Sequence, residues 1–220
     1  MRITPTKDQA IDKESGDSAP IRIFSSGLGI KGNIGSVVVL YCCKNGVETK
    51  HVLSYYLGPE TRHTVYEAEV AGEIMAQELL YTQTCRFGCH VSMYVDNQVS
   101  ILSTHTISPN PRHYLLDILH AMLTHCKKKI HNLSITIQWI PSHLDIEGNE
   151  EADRQANRAE KGNTDSPLNR LPLEFCKGLT NSKATILQMI PHDSQQYSTQ
   201  ECQPPHPAKY WPRALQPTPF

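Results

Sequence analysis

The chain has 220 residues, a net charge of −1 and 39% hydrophobic residues, which suits one globular domain plus tails. The charge balance excludes a composition built for polyanion or membrane-surface attraction and leaves only local basic patches. No apolar run approaches the roughly 18 residues of a membrane span, and the N-terminus lacks the apolar centre of a secretory signal.

Residues 1–20 are polar and aperiodic and predict a disordered lead-in. "IRIF" (21–24) predicts a strand, and "GLGIKG" (27–32) follows it. That glycine pattern also opens dinucleotide sites, where a helix N-terminus must come next to receive the phosphates. Here "IGSVVVLY" (34–41) comes next, and its β-branched run predicts a second strand. The glycines therefore read as a hairpin connection turning at Gly32 and Asn33, and no dinucleotide is expected. Asn45-Gly46 marks a second hairpin turn before the alternating strand "VETKHVLSYYLG" (47–58). A helix over 64–81, a strand over 91–95, a helix over 111–126, a strand over 133–140 and a helix over 148–162 complete the order. Three antiparallel strands and then crossover helices predict an α/β fold with a mixed five-stranded sheet and helices on both faces.

The domain is expected over 21–161. Residues 162–220 read as a proline-rich, largely irregular tail, since the last thirty hold seven of the 15 prolines. "LTNSKATILQMI" (179–190) predicts at most one short helix. The seven cysteines, with no secretory signal, are expected to stay reduced in an intracellular protein, cytoplasmic or nuclear. Cys85, Cys89 and His90 lack a partner cluster, so zinc is not expected. Lys127, Lys128 and Lys129 end a helix, where lysines ordinarily answer the terminal carbonyls and phosphate contact is the lesser reading.

Three acids stand against their surroundings. On a wheel of about 100° per residue, Glu69 shares the apolar face of Val65, Ala68, Gly72, Met75, Ala76, Leu79 and Leu80. Glu67 and Glu78 point away and read as solvated. Asp96 ends the apolar strand "SMYV", where ligands bind in open α/β sheets, though it could equally cap the segment after it. His143 lies in the loop of "WIPSHLDIEGNEEAD". Asn149 can cap the last helix, whose first turn holds Glu150, Glu151 and Asp153, ordinary partners of a helix dipole. A loop histidine beside acids can move protons near neutral pH.

"YEAEV", "YVDNQ" and "WIPSHLDIEGNEEADRQA", in this order, resemble the signature of type 1 ribonuclease H. The last matches the family's Trp-x-Pro-(Gly/Ser)-His and Gly-Asn-Glu-x-Ala-Asp. The wording of 34–76 is similar to the ribonuclease H domains of fungal non-LTR retrotransposon polyproteins; with no reverse transcriptase in the chain, it implies a fragment or a domesticated copy. The resemblance spans about 21–161. It implies two Mg²⁺ or Mn²⁺ ions, an RNA–DNA hybrid or other nucleic acid as partner, and Glu69, Asp96 and Asp153 as metal-holding acids, with His143 assisting.

The fourth family acid lies in an Asp-Gly-Ser on the first strand. Here the strand reads Phe24-Ser25-Ser26-Gly27-Leu28, so Ser26 takes the aspartate's place. Four carboxylates balance two Mg²⁺; three leave one positive charge over. Losing a bridging ligand is expected to cost about 10³-fold in rate, or about 4 kcal/mol. No other acid is expected nearby, because Asp17 precedes the strand and Glu60 follows the third. The resemblance thus implies an impaired hybrid endonuclease or, alternatively, a catalytically dead pseudoenzyme that binds nucleic acid or another partner.

Overall fold

The structure is a computed structural model and describes residues 11–12, 14–44, 46–83, 90–98, 101, 114–141, 146–159 and 166–179. The elements are β1 (Ile21–Ile30), β2 (Asn33–Lys44), β3 (Val47–Pro59), α1 (Val65–Gln83), β4 (His90–Val95), α2 (Tyr114–Lys129), β5 (Ser134–Trp139) and α3 (Glu147–Ala159). A 3₁₀ turn (Leu168–Arg170) and a one-turn helix α4 (Leu173–Cys176) follow.

The sheet order is β3-β2-β1-β4-β5. β1 pairs antiparallel with β2 and parallel with β4, β2 pairs antiparallel with β3, and β4 pairs parallel with β5. This is the expected mixed five-stranded sheet, antiparallel on one side and parallel on the other.

Alternation along the strands sorts two cores. Ile21, Ile23, Val38 and Leu40 face α1 and α2, with Ile74, Met75 and Leu116. Phe24, Val37, Val39 and Tyr94 face α3, with Ala152 and Ala156. Burial on both faces is why Val37, Val38 and Val39 run together.

The first strand is longer than "IRIF". Gly27 and Gly29 lie inside β1, and the hairpin turns on Lys31 and Gly32, one residue earlier than expected. Both have positive φ, 51° and 82°, the geometry of a two-residue turn that matches strand twist. Gly27 serves a different need. A Cβ there would sit 2.5 Å from the backbone nitrogen of Glu69, so glycine lets α1 lie directly on β1.

Helix α1 is buried on nearly every side, while Val65, placed on its apolar face, is 41% exposed. Glu67 is buried at 5% instead of solvated. Its carboxylate accepts from the backbone N–H and hydroxyl of Thr64 at 2.7 and 3.1 Å, while Thr64 accepts from the Glu67 N–H at 3.2 Å, closing a capping box. Glu78 is half-buried. Asn149 does not cap α3, which begins two residues earlier at Glu147.

The packed chain also exceeds 21–161 at both ends. Asp17 accepts a hydrogen bond from the Tyr94 hydroxyl at 2.6 Å, and Glu14 pairs with Arg22. Leu171 and Phe175 are 5% and 1% exposed in the α1-side core. The Phe175 ring lies 4.8 Å from that of Tyr55, and Ser166 Oγ accepts from the Ser54 N–H at 2.7 Å. The disordered lead-in and the tail from 162 are thus corrected for residues 14–20 and 166–179. The stretch 180–190 and the "CRFGC" cysteines lie outside the described residues. Lys129 reaches the Tyr81 carbonyl of α1 and lies 4.0 Å from the Tyr81 ring centroid, while Lys127 and Lys128 are exposed. No helix of the described residues is long and apolar enough to cross a membrane.

The Asp17–Tyr94 bond gives a pH test. Burial pushes the Asp17 carboxyl up, but the Tyr94 hydroxyl and the Ala19 N–H outweigh it and hold it below the usual range. A depressed acid adds stability above its unfolded pKa and loses it as pH falls through the folded one. Tyr94→Phe is expected to cost about 1–2 kcal/mol at pH 7. The difference should shrink as pH falls below about 4. Thermal melts of both proteins across pH check this, and a gap that stays constant to low pH would contradict it.

Candidate functional site

The three acids singled out from sequence come from three elements. Glu69 lies in the second turn of α1 and is 3% exposed, so it does not reach water at the edge of the apolar stripe. Asp96 follows β4 directly and is half-buried, and Asp153 sits half-buried on α3. The charges of Asp96 and Asp153 both push the Glu69 carboxyl up.

Glu69 meets β1 at Gly27, whose backbone N–H donates to its carboxylate. Burial first, then the charges of Asp96, Glu73 and Asp153, raise the Glu69 carboxyl well above the usual range against that hydrogen bond. Its Oε2 is buried and has no hydrogen-bond partner. Burying a charged, partly unsatisfied oxygen among other acids is costly, and a cation is what would relieve it.

Asp96 is fixed from behind. Trp139 Nε1 donates to its backbone carbonyl at 2.9 Å, and the Ile140 N–H bonds the Val95 carbonyl at 3.0 Å. The tryptophan of "WIPSH" is therefore structural, because it locks the end of β5 to the end of β4.

Ser26 does not end a strand. It lies mid-β1, paired with Val37, and is 1% exposed. The last parallel pair between β1 and β4 is Ser25 with Val95, so Ser26 and Asp96 are the next step on neighbouring strands. By alternation Ser26 shares the α3 face with Phe24, as Asp96 does with Tyr94.

Sequence reasoning missed Glu73 altogether and the burial of Asn149. Glu73, one turn after Glu69, is 1% exposed and among the strongest charges on it. The signal was the i, i+4 spacing. Asn149 lies one turn before Asp153 on α3 and is 1% exposed, with neither amide atom hydrogen-bonded. Glu151 belongs elsewhere. Its carboxylate takes Lys50 Nζ at 3.0 Å and also holds Arg154 and Gln155, which outweigh burial and bring its pKa to about 2. His143 lies outside the described residues.

The donor chemistry suits a hard divalent cation, since carboxylate oxygens are what Mg²⁺ and Mn²⁺ take. Among the described residues, no three such groups already stand close enough together to grip an ion. Mutual repulsion of ion-free carboxylates favours that spacing. Glu69→Gln is accordingly expected to leave the ion-free melting temperature unchanged or higher. Marked destabilisation in calorimetry would instead make Glu69 a structural partner.

Several solved structures are similar. LC9-RNase H1, a type 1 RNase H with the type 2 active-site motif, has 14% identity over 92% of this chain and 99% of its own, with a TM-score of 0.48. LC11-RNase H1 in complex with RNA/DNA hybrid has 22% identity over 64% and 97%, with a TM-score of 0.44. RNase H1 from the halophilic archaeon Halobacterium salinarum has 18% identity over 64% and 98%, with a TM-score of 0.46. No family profile and no curated protein sequence matches the chain.

Proposed function

We propose that this chain binds RNA–DNA hybrids and cleaves their RNA strand slowly, with Mg²⁺ or Mn²⁺ held by Glu69, Asp96 and Asp153. The observation that carries the reading is the placement of these acids around Ser26: Glu69 on α1 where it meets β1 at Gly27, Asp96 one step beyond the Ser25–Val95 pair, and Asp153 on α3. The order of the three motifs supports the hybrid as substrate, and the wording of 34–76 supports a retrotransposon origin.

A bound divalent ion supplies an activated water and stabilises the leaving oxygen of a phosphodiester. The chain's own residues provide the rest. The Gly27 N–H orients the Glu69 carboxylate, and Trp139 fixes the backbone at Asp96. Ser26 offers one neutral hydroxyl where the family has a carboxylate, which weakens the grip on the ions. His143 assists proton movement or product release by virtue of its motif position.

A hybrid labelled on the RNA strand tests the reading. Slow cleavage is expected that requires Mg²⁺ or Mn²⁺, stops with chelator and is lost in Asp96→Asn. Tight hybrid binding with no cleavage in millimolar Mn²⁺ would overturn the nuclease reading in favour of a nucleic-acid-binding pseudoenzyme.

A further inference from the structure

We infer that Asn149 is a positioning residue of this site: its buried amide is the hydrogen-bond partner that the Asp153 carboxylate takes when the site is loaded, and it stays unmatched until then. The inference rests on the metal-dependent reading above and adds a residue which that reading does not use.

The placement follows from α3. Gly148 lets the start of this helix lie on Phe24, because a Cβ there would run into the Phe24 ring. Phe24 precedes Ser26 by two residues, on the same face of β1. Ala152 and Ala156, both 0% exposed, mark the side of α3 that lies against the sheet. At about 100° per residue, Glu151 falls on one flank of that side, and Asn149 and Asp153 fall together on the other. Glu151 reaches Lys50 of β3, so its flank is the β3 flank. The sheet runs β3-β2-β1-β4, which puts Asn149 and Asp153 toward β1 and β4, where Ser26 and Asp96 lie. Four residues apart on a helix, an amide and a carboxylate are within reach of a side-chain hydrogen bond.

A second observation is independent of the acids. Asn149 is 1% exposed, and neither its Oδ1 nor its Nδ2 has a hydrogen-bond partner. The helix does not use the amide as a cap, since its first turn closes through the Glu150 N–H on the Ile146 carbonyl at 2.9 Å. Packing does not call for it either, because a side chain of the same shape without polar atoms would fill the space with no group left unsatisfied. A buried amide with nothing to bond costs the free chain stability. Such local conflicts belong where a site is built for something not yet bound.

Charge repulsion accounts for the open pair in the free chain. Asp153 is half-buried, and drawing its carboxylate inward brings it toward the other acids at a cost. That cost falls away once a cation balances them, and the carboxylate can turn along α3 to the amide. Asn149 Nδ2 then donates and one carboxylate oxygen of Asp153 accepts, which fixes the orientation of the acid and leaves its second oxygen to the site. The amide acts only through Asp153.

Calorimetric titration of the full-length chain with Mn²⁺, beside thermal melts of the ion-free protein, tests this without any turnover. Asn149→Leu should weaken Mn²⁺ binding about tenfold or more, with the ion-free melting temperature unchanged or raised. Asn149→Ala should show the same loss of affinity if leucine fits the position poorly. Asp153→Asn should also weaken binding, and adding Asn149→Leu to it should cost nothing further, because the amide acts through that carboxylate. Unchanged affinity in both Asn149 variants, or a loss that simply adds to that of Asp153→Asn, would overturn the inference. A marked fall in the ion-free melting temperature of both variants would overturn it as well, by making the amide a satisfied part of the fold. If Asp96→Asn still lowers the affinity in any of these cases, the metal-dependent reading stands without Asn149. Absence of any Mn²⁺ binding sensitive to Asp96→Asn would overturn both.

Discussion

Ser26→Asp is expected to raise hybrid cleavage by about 10²-fold or more over the unaltered chain, with a continued requirement for Mg²⁺ or Mn²⁺. The substitution puts a carboxylate on the α3 face of β1, one strand from Asp96. Such a group offers two charged oxygens where the serine hydroxyl offers one neutral one. Because Ser26 is 1% exposed, the added charge is buried and repelled until ions arrive. The variant should therefore melt lower than the parent without metal and gain more from Mn²⁺, a signature separate from turnover. Adding Asp96→Asn should abolish the gain, since both residues serve the same ions. A Ser26→Asp protein that folds, binds hybrid and Mn²⁺ and still does not cut would show that the missing carboxylate is not what limits the site.

Phe175→Ala is expected to cost about 3–5 kcal/mol, the range for emptying a large aromatic from a core. Phe175 is 1% exposed, stacks on Tyr55, and its carbonyl accepts from the Tyr55 hydroxyl at 3.3 Å. The melting temperature should fall by roughly 10 °C or more for a chain of this size. Truncation after residue 165 should do at least as much damage, since it also removes Leu171 and the Ser166 contact to β3. Unchanged melting in both proteins would mean that this segment adds nothing to the fold.

The sheet was legible because its strands alternate or run apolar and its turns carry Asn-Gly or Lys-Gly. Periodicity carried the element order and the two hairpins without help from tertiary contacts. It misjudged lengths where packing decides. β1 continues through Gly27 and Gly29 because β2 pairs with it down to Asn33, and no local pattern announces that. Glu67 reads as solvated on a helical wheel, yet the capping box and the packing around α1 bury it. The segment around Phe175 was hidden by composition: proline and polar residues surround "LPLEF", and only the exposed flank of β3 gives those apolar side chains a place to go.

The acids followed the same logic. Glu69, Asp96 and Asp153 stand out in the sequence because each breaks a local pattern or sits in a motif. Glu73 does not, because four glutamates on one helix look like ordinary solvation until burial separates them. The i, i+4 relation to Glu69 was present in the sequence, but it acquires weight only when Gly27 and Gly72 are seen to bring α1 onto β1.

Anomalous scattering from a crystal of the unaltered chain grown with Mn²⁺ tests the central claim most directly, because it places the ion with no assumption about activity. A strong peak is predicted at the carboxylates of Glu69, Asp96 and Asp153, beside Ser26. No peak at those carboxylates at millimolar Mn²⁺, or an ion bound only at Glu151 or another surface acid, would contradict the account.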